Sequence, residues 1–159
     1  MTTRHYITIL FSVFIFSMNS HAQDLLGLDP NSLKTEQDYK NAEERVLSCA
    51  DYLLTNPIDE EELIRTATFS YLFRWIEGTP EHSFSLDADV VQLTNNNKDF
   101  LTIYFAGLAK SVLENSTEPY TEEETQDRAI QYLIDYCSNP DHHLKPTKRM
   151  NKMSKKNKT

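Results

Sequence analysis

The sequence predicts an all-α domain: a four-to-five-helix bundle with one disulfide and a disordered basic C-terminal tail. Three observations lead there. Apolar residues recur at three- and four-residue spacing through four long stretches, which is the signature of amphipathic helices. Two of those stretches open on a capping-box spacing, Asp59 with Glu62 and Thr121 with Glu124. The first and last stretches end alike, in Cys49-Ala-Asp-Tyr-Leu-Leu-Thr-Asn-Pro57 and Tyr132-Leu-Ile-Asp-Tyr-Cys-Ser-Asn-Pro140. Each reads as the last turns of a helix. Asn suits a left-handed cap and Pro cannot continue the helix.

The chain divides by composition. Residues 1–22 read as a signal peptide, with Arg4 at the start, an apolar run over residues 6–16, and Ser20-His21-Ala22 before a cut between Ala22 and Gln23. A membrane-spanning helix needs about 20 apolar residues, and this run is shorter. The predicted destination is therefore export, periplasmic or secreted. Residues 23–36 form a lead-in whose leucines either dock on the body or stay mobile. Residues 37–140 form the helical domain, with 8 Lys and Arg against 23 Asp and Glu between residues 23 and 140. Such an acidic body disfavours nucleic acid. Residues 141–159 hold 7 Lys and Arg against Asp141 and show no apolar face, which predicts a disordered tail. Two cysteines in an oxidising compartment are most simply paired, so Cys49 and Cys137 are the expected structural disulfide. Closing a loop of 88 residues is worth on the order of 4 kcal/mol in chain-entropy terms.

Taken in order, the first helix should span residues 37–54, with Tyr39, Ala42, Val46, Cys49, Ala50 and Leu53 on one stripe. The second should start at Asp59, with Ile58 and Leu63 as a hydrophobic staple, and stop at Gly78 before Pro80. Phe69, Tyr71, Leu72, Phe73, Trp75 and Ile76 make its second half apolar on most faces. This places it at the centre of the core, with Trp75 as the anchor. An irregular connector follows, with one helical turn near residues 89–93. The third helix opens at Asn95-Asn-Asn97, and its small residues Ala106, Gly107 and Ala109 admit a close neighbour. Asn115-Ser-Thr117 matches a glycosylation acceptor. The fourth helix starts at Thr121 and buries Ala129, Ile130, Leu133, Ile134 and Cys137.

The chemistry is sparse. Three glycines, none clustered, exclude phosphate-cradling loops and dinucleotide turns. There is no nucleophile elbow, no Cys-x-x-Cys and no His-Glu-x-x-His. His142-His143 beside Asp141 lacks a third strong metal ligand, and the runs Glu60–Glu62 and Glu122–Glu124 read as helix starts. His82 beside Glu81 reads as a solvent-facing histidine rather than a general base. No catalytic residue, cofactor or metal is assigned. The aromatics Phe69, Tyr71, Phe73, Trp75, Phe84, Tyr104, Phe105, Tyr132 and Tyr136 follow the helical stripes, so they read as core, with a ligand pocket between helices as the alternative.

The runs Ala50-Asp-Tyr-Leu-Leu-Thr-Asn-Pro-Ile-Asp59, Arg74-Trp-Ile-Glu-Gly-Thr-Pro80 with Phe84, and Tyr136-Cys-Ser-Asn-Pro140 resemble a group of small exported bacterial helical proteins of unknown function. The expected topology also resembles that of periplasmic acid-stress chaperones. Neither resemblance implies an activity or a functional residue. The expectation is a non-catalytic exported protein that binds a macromolecule, most simply a protein partner, or serves the envelope. The alternative is a small-ligand carrier.

Overall fold

The computed structural model describes residues 25–114 and 119–156. The expected signal peptide and the Asn115 acceptor lie outside the described residues. Those residues fold into α1 (Glu36–Asn41), α2 (Glu43–Thr55), α3 (Glu62–Gly78), α4 (Ala88–Thr94), α5 (Lys98–Glu114), α6 (Glu122–Ser138) and α7 (Lys148–Lys156). Short 3-10 turns lie at Leu25–Gly27, Pro30–Ser32 and Pro140–His142. No strand occurs among the described residues, and none of their helices is long and apolar enough to cross a membrane.

Local chemistry sets most boundaries. At the start of α1, the Thr35 hydroxyl accepts from the Asp38 N–H while the Asp38 carboxylate accepts from the Thr35 N–H at 2.8 Å. The single helix expected over residues 37–54 is broken at Ala42 into α1 and α2. Asp87 caps α4 by accepting from the Val90 N–H, and Asn97 caps α5 by accepting from the Asp99 N–H at 2.8 Å. Thr121 and Glu124 form the capping box that their spacing predicts, and α3 ends at Gly78. Leu25 and Leu33 of the lead-in are buried against the body.

The core is centred on α5. It lies between α2 and α6 and packs along both, while α2 and α6 barely touch. Phe100, Ile103, Tyr104, Ala106, Leu108 and Ala109 bury residues on most of its faces. At Gly107 an added Cβ would stand 3.0 Å from the Ala129 Cα, so the missing side chain is what lets α6 approach. The central position expected for α3 is therefore corrected. That helix buries one stripe, Arg65, Thr68, Tyr71, Leu72 and Trp75, and leaves the opposite side open. Trp75 is fully buried, and its Nε1–H donates to the Tyr39 carbonyl at 3.0 Å.

The disulfide is also corrected. Cys49 and Cys137 are both buried thiols, far apart and in different core clusters. The helix α5 packs along both helices that carry them, and where α2 and α6 do meet the contact does not bring the two cysteines within bonding reach. Burial pushes the Cys137 thiol up to about 12.

Two further expectations fail at the C-terminal end. The tail is not wholly disordered: after the 3-10 turn at Pro140–His142, α7 packs back on the body with Met150 fully buried. Arg149 pairs with Asp89 at 3.0 Å and donates to Gln92 Oε1 at 2.7 Å, and the Thr147 hydroxyl donates to the Leu93 carbonyl. The same segment displaces the cap expected at Asp59. The Ile58 N–H donates to the His142 carbonyl, and the Asp59 carboxylate binds the His143 ring at 2.8 Å. With those groups engaged, the cap of α3 moves two residues on, to Glu61 in the left-handed region at φ 44°, and Leu63 of the expected staple is 86% exposed. Asn56 and Asn139 take extended rather than left-handed conformations.

Candidate functional site

The face of α3 beside the buried stripe carries two half-buried phenylalanines among polar residues. Residues at three- and four-residue spacing share a helix face, so Glu62, Thr66, Phe69, Ser70 and Phe73 line up along it. Opposite them, α5 presents Lys98, Leu101, Thr102 and Phe105. Together they wall a recess of about 560 Å³. Three half-buried phenylalanines floor it: Phe69 and Phe73 with ring centroids 5.5 Å apart, Phe73 and Phe105 edge to face at 5.1 Å, and Phe69 and Phe105 at 6.4 Å. Such pairings suit the ring quadrupoles. A second recess of about 360 Å³ shares Phe73 and Phe105 and continues past Ile76 to Phe84 and Leu86. The two recesses lie side by side, with the paired rings of Phe73 and Phe105 lining both. Of the exposed large apolar side chains among the described residues, Leu63 and Leu86, the latter lines the second recess.

Polar groups rim the first recess. Asp59, Glu62 and Asp99 supply negative charge, and Arg65 and Lys98 supply positive charge. Arg65 is buried and already committed: it donates to the carbonyls of Asn56 and Pro57, each at 3.1 Å, and to Leu53 O at 3.4 Å. Its guanidinium thereby fastens the Asn56-Pro57 corner to α3. The Tyr136 hydroxyl donates to the same Asn56 carbonyl at 2.7 Å, which brings the second Asn-Pro corner alongside the first. Burial pushes the Tyr136 phenol up to about 12, against the pull of Arg65. The His143 ring holds the Asp59 carboxyl below its ordinary value.

Among the described residues, the acidic runs and the His142-His143 pair singled out from the sequence do not come together. Glu60, Glu61, Glu62 and Glu122, Glu123, Glu124 are all exposed. His142 stacks on Tyr136 with its Nδ1 3.0 Å from the Tyr136 carbonyl, while His143 turns to Asp59, so the two histidines serve different partners. His82 is half-buried against Trp75 and Phe84, and burial pushes its pKa down; the solvent-facing position expected for it is corrected. Among the described residues, Glu43, Glu81 and His82 come together.

The structure divides the aromatic set that the sequence read as core. Tyr71, Trp75, Tyr104 and Tyr136 are buried, whereas Phe69, Phe84 and Phe105 pack against the core from its edge and, with Phe73, line the recesses. A signal for that division was present: the second half of α3 carries more apolar residues than one packing stripe can bury. Comparison of this chain with protein-family models, curated proteins and solved structures finds no match.

Proposed function

We propose that this protein is a non-catalytic binding protein, exported after cleavage between Ala22 and Gln23, whose working surface is the α3–α5 groove. The occupant is a cationic, amphipathic segment of a partner polypeptide. The observation that carries this reading is the lining: two neighbouring recesses that share Phe73 and Phe105, with Phe69 in one and Phe84 in the other, open rather than enclosed. Partner helices and extended segments bind such surfaces through a row of apolar anchors. Charge favours a basic segment, because the body between residues 23 and 140 has a net charge of −15 and Arg65 is taken up by backbone carbonyls. The scattered, solvated carboxylates support a role without catalysis.

A second reading, a small-ligand carrier, is favoured by one feature. The first recess, about 560 Å³, falls in the range of about 300–1,000 Å³ typical of small-molecule pockets. Titration with a short labelled Leu/Lys amphipathic peptide tests the proposal. Saturable binding that weakens with salt is expected. Ser70→Trp and Thr102→Trp, which add bulk from opposite walls without touching the buried stripe, should each weaken it at least about tenfold, a loss of about 1.4 kcal/mol. Equal affinity in both variants would refute the groove as the site. Uptake of a compact aromatic dye with no affinity for the peptide would favour the carrier.

A further inference from the structure

We propose that Glu43, Glu81 and His82 form a site for one divalent transition-metal ion of the zinc class, and that the Lys40 ammonium holds the place of that cation. The inference does not depend on what fills the groove.

One ligand atom from each of the three residues lies within 4.8 Å of the others. They arrive from two parts of the chain. Glu43 sits in the first turn of α2, and Glu81 and His82 follow the end of α3. The Lys40 Nζ stands 3.2 Å from Glu43 Oε1 and 2.7 Å from Glu81 Oε2, so both carboxylates already aim at one point occupied by positive charge. That lysine is 51% exposed, on a flexible stem that can swing into solvent. The break at Ala42 separates Lys40 of α1 from Glu43 of α2.

The histidine is the fixed member of the set. Its ring centroid lies 5.7 Å from that of Trp75 and 6.3 Å from that of Phe84, and Trp75 is itself held by its bond to the Tyr39 carbonyl. One ligand whose orientation the core determines, flanked by two adjustable carboxylates, is a preorganised arrangement. Zinc bond lengths of about 2.0–2.1 Å require the carboxylates to close in by roughly an ångström, which Glu81 on an exposed loop permits. The donor set selects the metal. An imidazole nitrogen with two carboxylates suits a borderline ion, whereas Ca²⁺ and Mg²⁺ prefer oxygen alone and Cu(I) prefers sulfur. Three protein ligands leave a fourth position, and the adjoining pocket of about 490 Å³, lined in part by Leu47, Val112 and Leu113, has room for a water or a small ligand there.

Titration of the full chain with Zn²⁺, followed by calorimetry and by the melting temperature, tests the site. One saturable site that raises the melting temperature is expected, with Ca²⁺ in excess failing to compete. His82→Phe keeps a ring against Trp75 and Phe84 while removing the ligand, and should weaken binding at least about tenfold. Glu81→Gln, at an exposed position, should do the same and guards against a folding defect in the first variant. Lys40→Met, which removes the competing cation, should tighten binding severalfold. The His142→Gln, His143→Gln double variant should bind as the wild type does. Wild-type affinity in both His82→Phe and Glu81→Gln, loss of binding in the double variant, or no gain in Lys40→Met would overturn the proposal.

Discussion

At the scale of single residues, Arg65 and Trp75 hold the most and differ in how they could be foreseen. Trp75 sits in the apolar second half of α3, and its burial follows from that pattern. Truncation to Ala should cost roughly 3–5 kcal/mol, measured by denaturant unfolding. Arg65 left no such trace, because its partners are main-chain carbonyls of Leu53, Asn56 and Pro57, which carry no side-chain identity. Arg65→Met keeps much of the packing volume but strands those carbonyls, and should cost about 2–3 kcal/mol in the same measurement. The cysteines show where residue-level reasoning misleads. Parity and the expectation of export point to a bond, yet pairing depends on which helices are neighbours, and α5 comes between them. In the native protein both buried thiols should resist a thiol reagent, and both should react once the chain is unfolded. Loss of titratable thiol in unfolded, unreduced protein would restore the disulfide.

At the scale of elements, the sequence was legible wherever a helix start is satisfied by its own residues. Thr121 and Glu124 close on each other as their spacing implies, and Thr35 and Asp38 do the same. Backbone N–H groups of Thr121 and Thr35 hold the Glu124 and Asp38 carboxyls below their ordinary values of 4.5 and 3.8. A folded-state pKa below the unfolded one gives stability that is present above the unfolded value and lost as pH falls through the folded one. The stability these two caps give should therefore begin to fall as pH drops through the ordinary carboxylate range and be lost below it, and Glu124→Gln should flatten the pH dependence over that window while lowering stability at neutral pH. Asp59 followed the same sequence rule and failed, because the returning C-terminal segment supplies His143 and the His142 carbonyl to the very groups that would have capped α3. Long-range competition of that kind has no local signature. The α5–α6 contact gives a further check. Gly→Ala within a helix ordinarily stabilises it by about 1 kcal/mol. At Gly107 the new Cβ meets the Ala129 backbone at 3.0 Å, so Gly107→Ala should destabilise instead, by about 1–3 kcal/mol of overpacking.

At the scale of the whole molecule, the all-helical architecture was readable from periodicity, whereas its arrangement was not. Amphipathic stripes state that a helix has a buried side but not which helix it meets. For that reason periodicity alone puts α3 at the centre and reads α7 as a disordered tail, although Met150 and Met153 punctuate its basic sequence at the spacing of a single face. Removing residues 141–159 should lower the melting temperature markedly, and Met150→Ala alone should cost about 2–5 kcal/mol. The displaced centre also explains the groove. With α5 supplying the core, the outer face of α3 is left with Phe69 and Phe73 beside Phe105 and no helix to cover them among the described residues. The account's central claim is that this face receives a cationic amphipathic partner segment. The most direct measurement is an aromatic and methyl chemical-shift map of the isotope-labelled protein during titration with the Leu/Lys peptide. The account predicts saturable shifts of the Phe69, Phe73, Phe105 and Leu101 signals, with Met150 and Leu133 unmoved. Saturable shifts elsewhere on the surface, with those four signals unchanged, would contradict it.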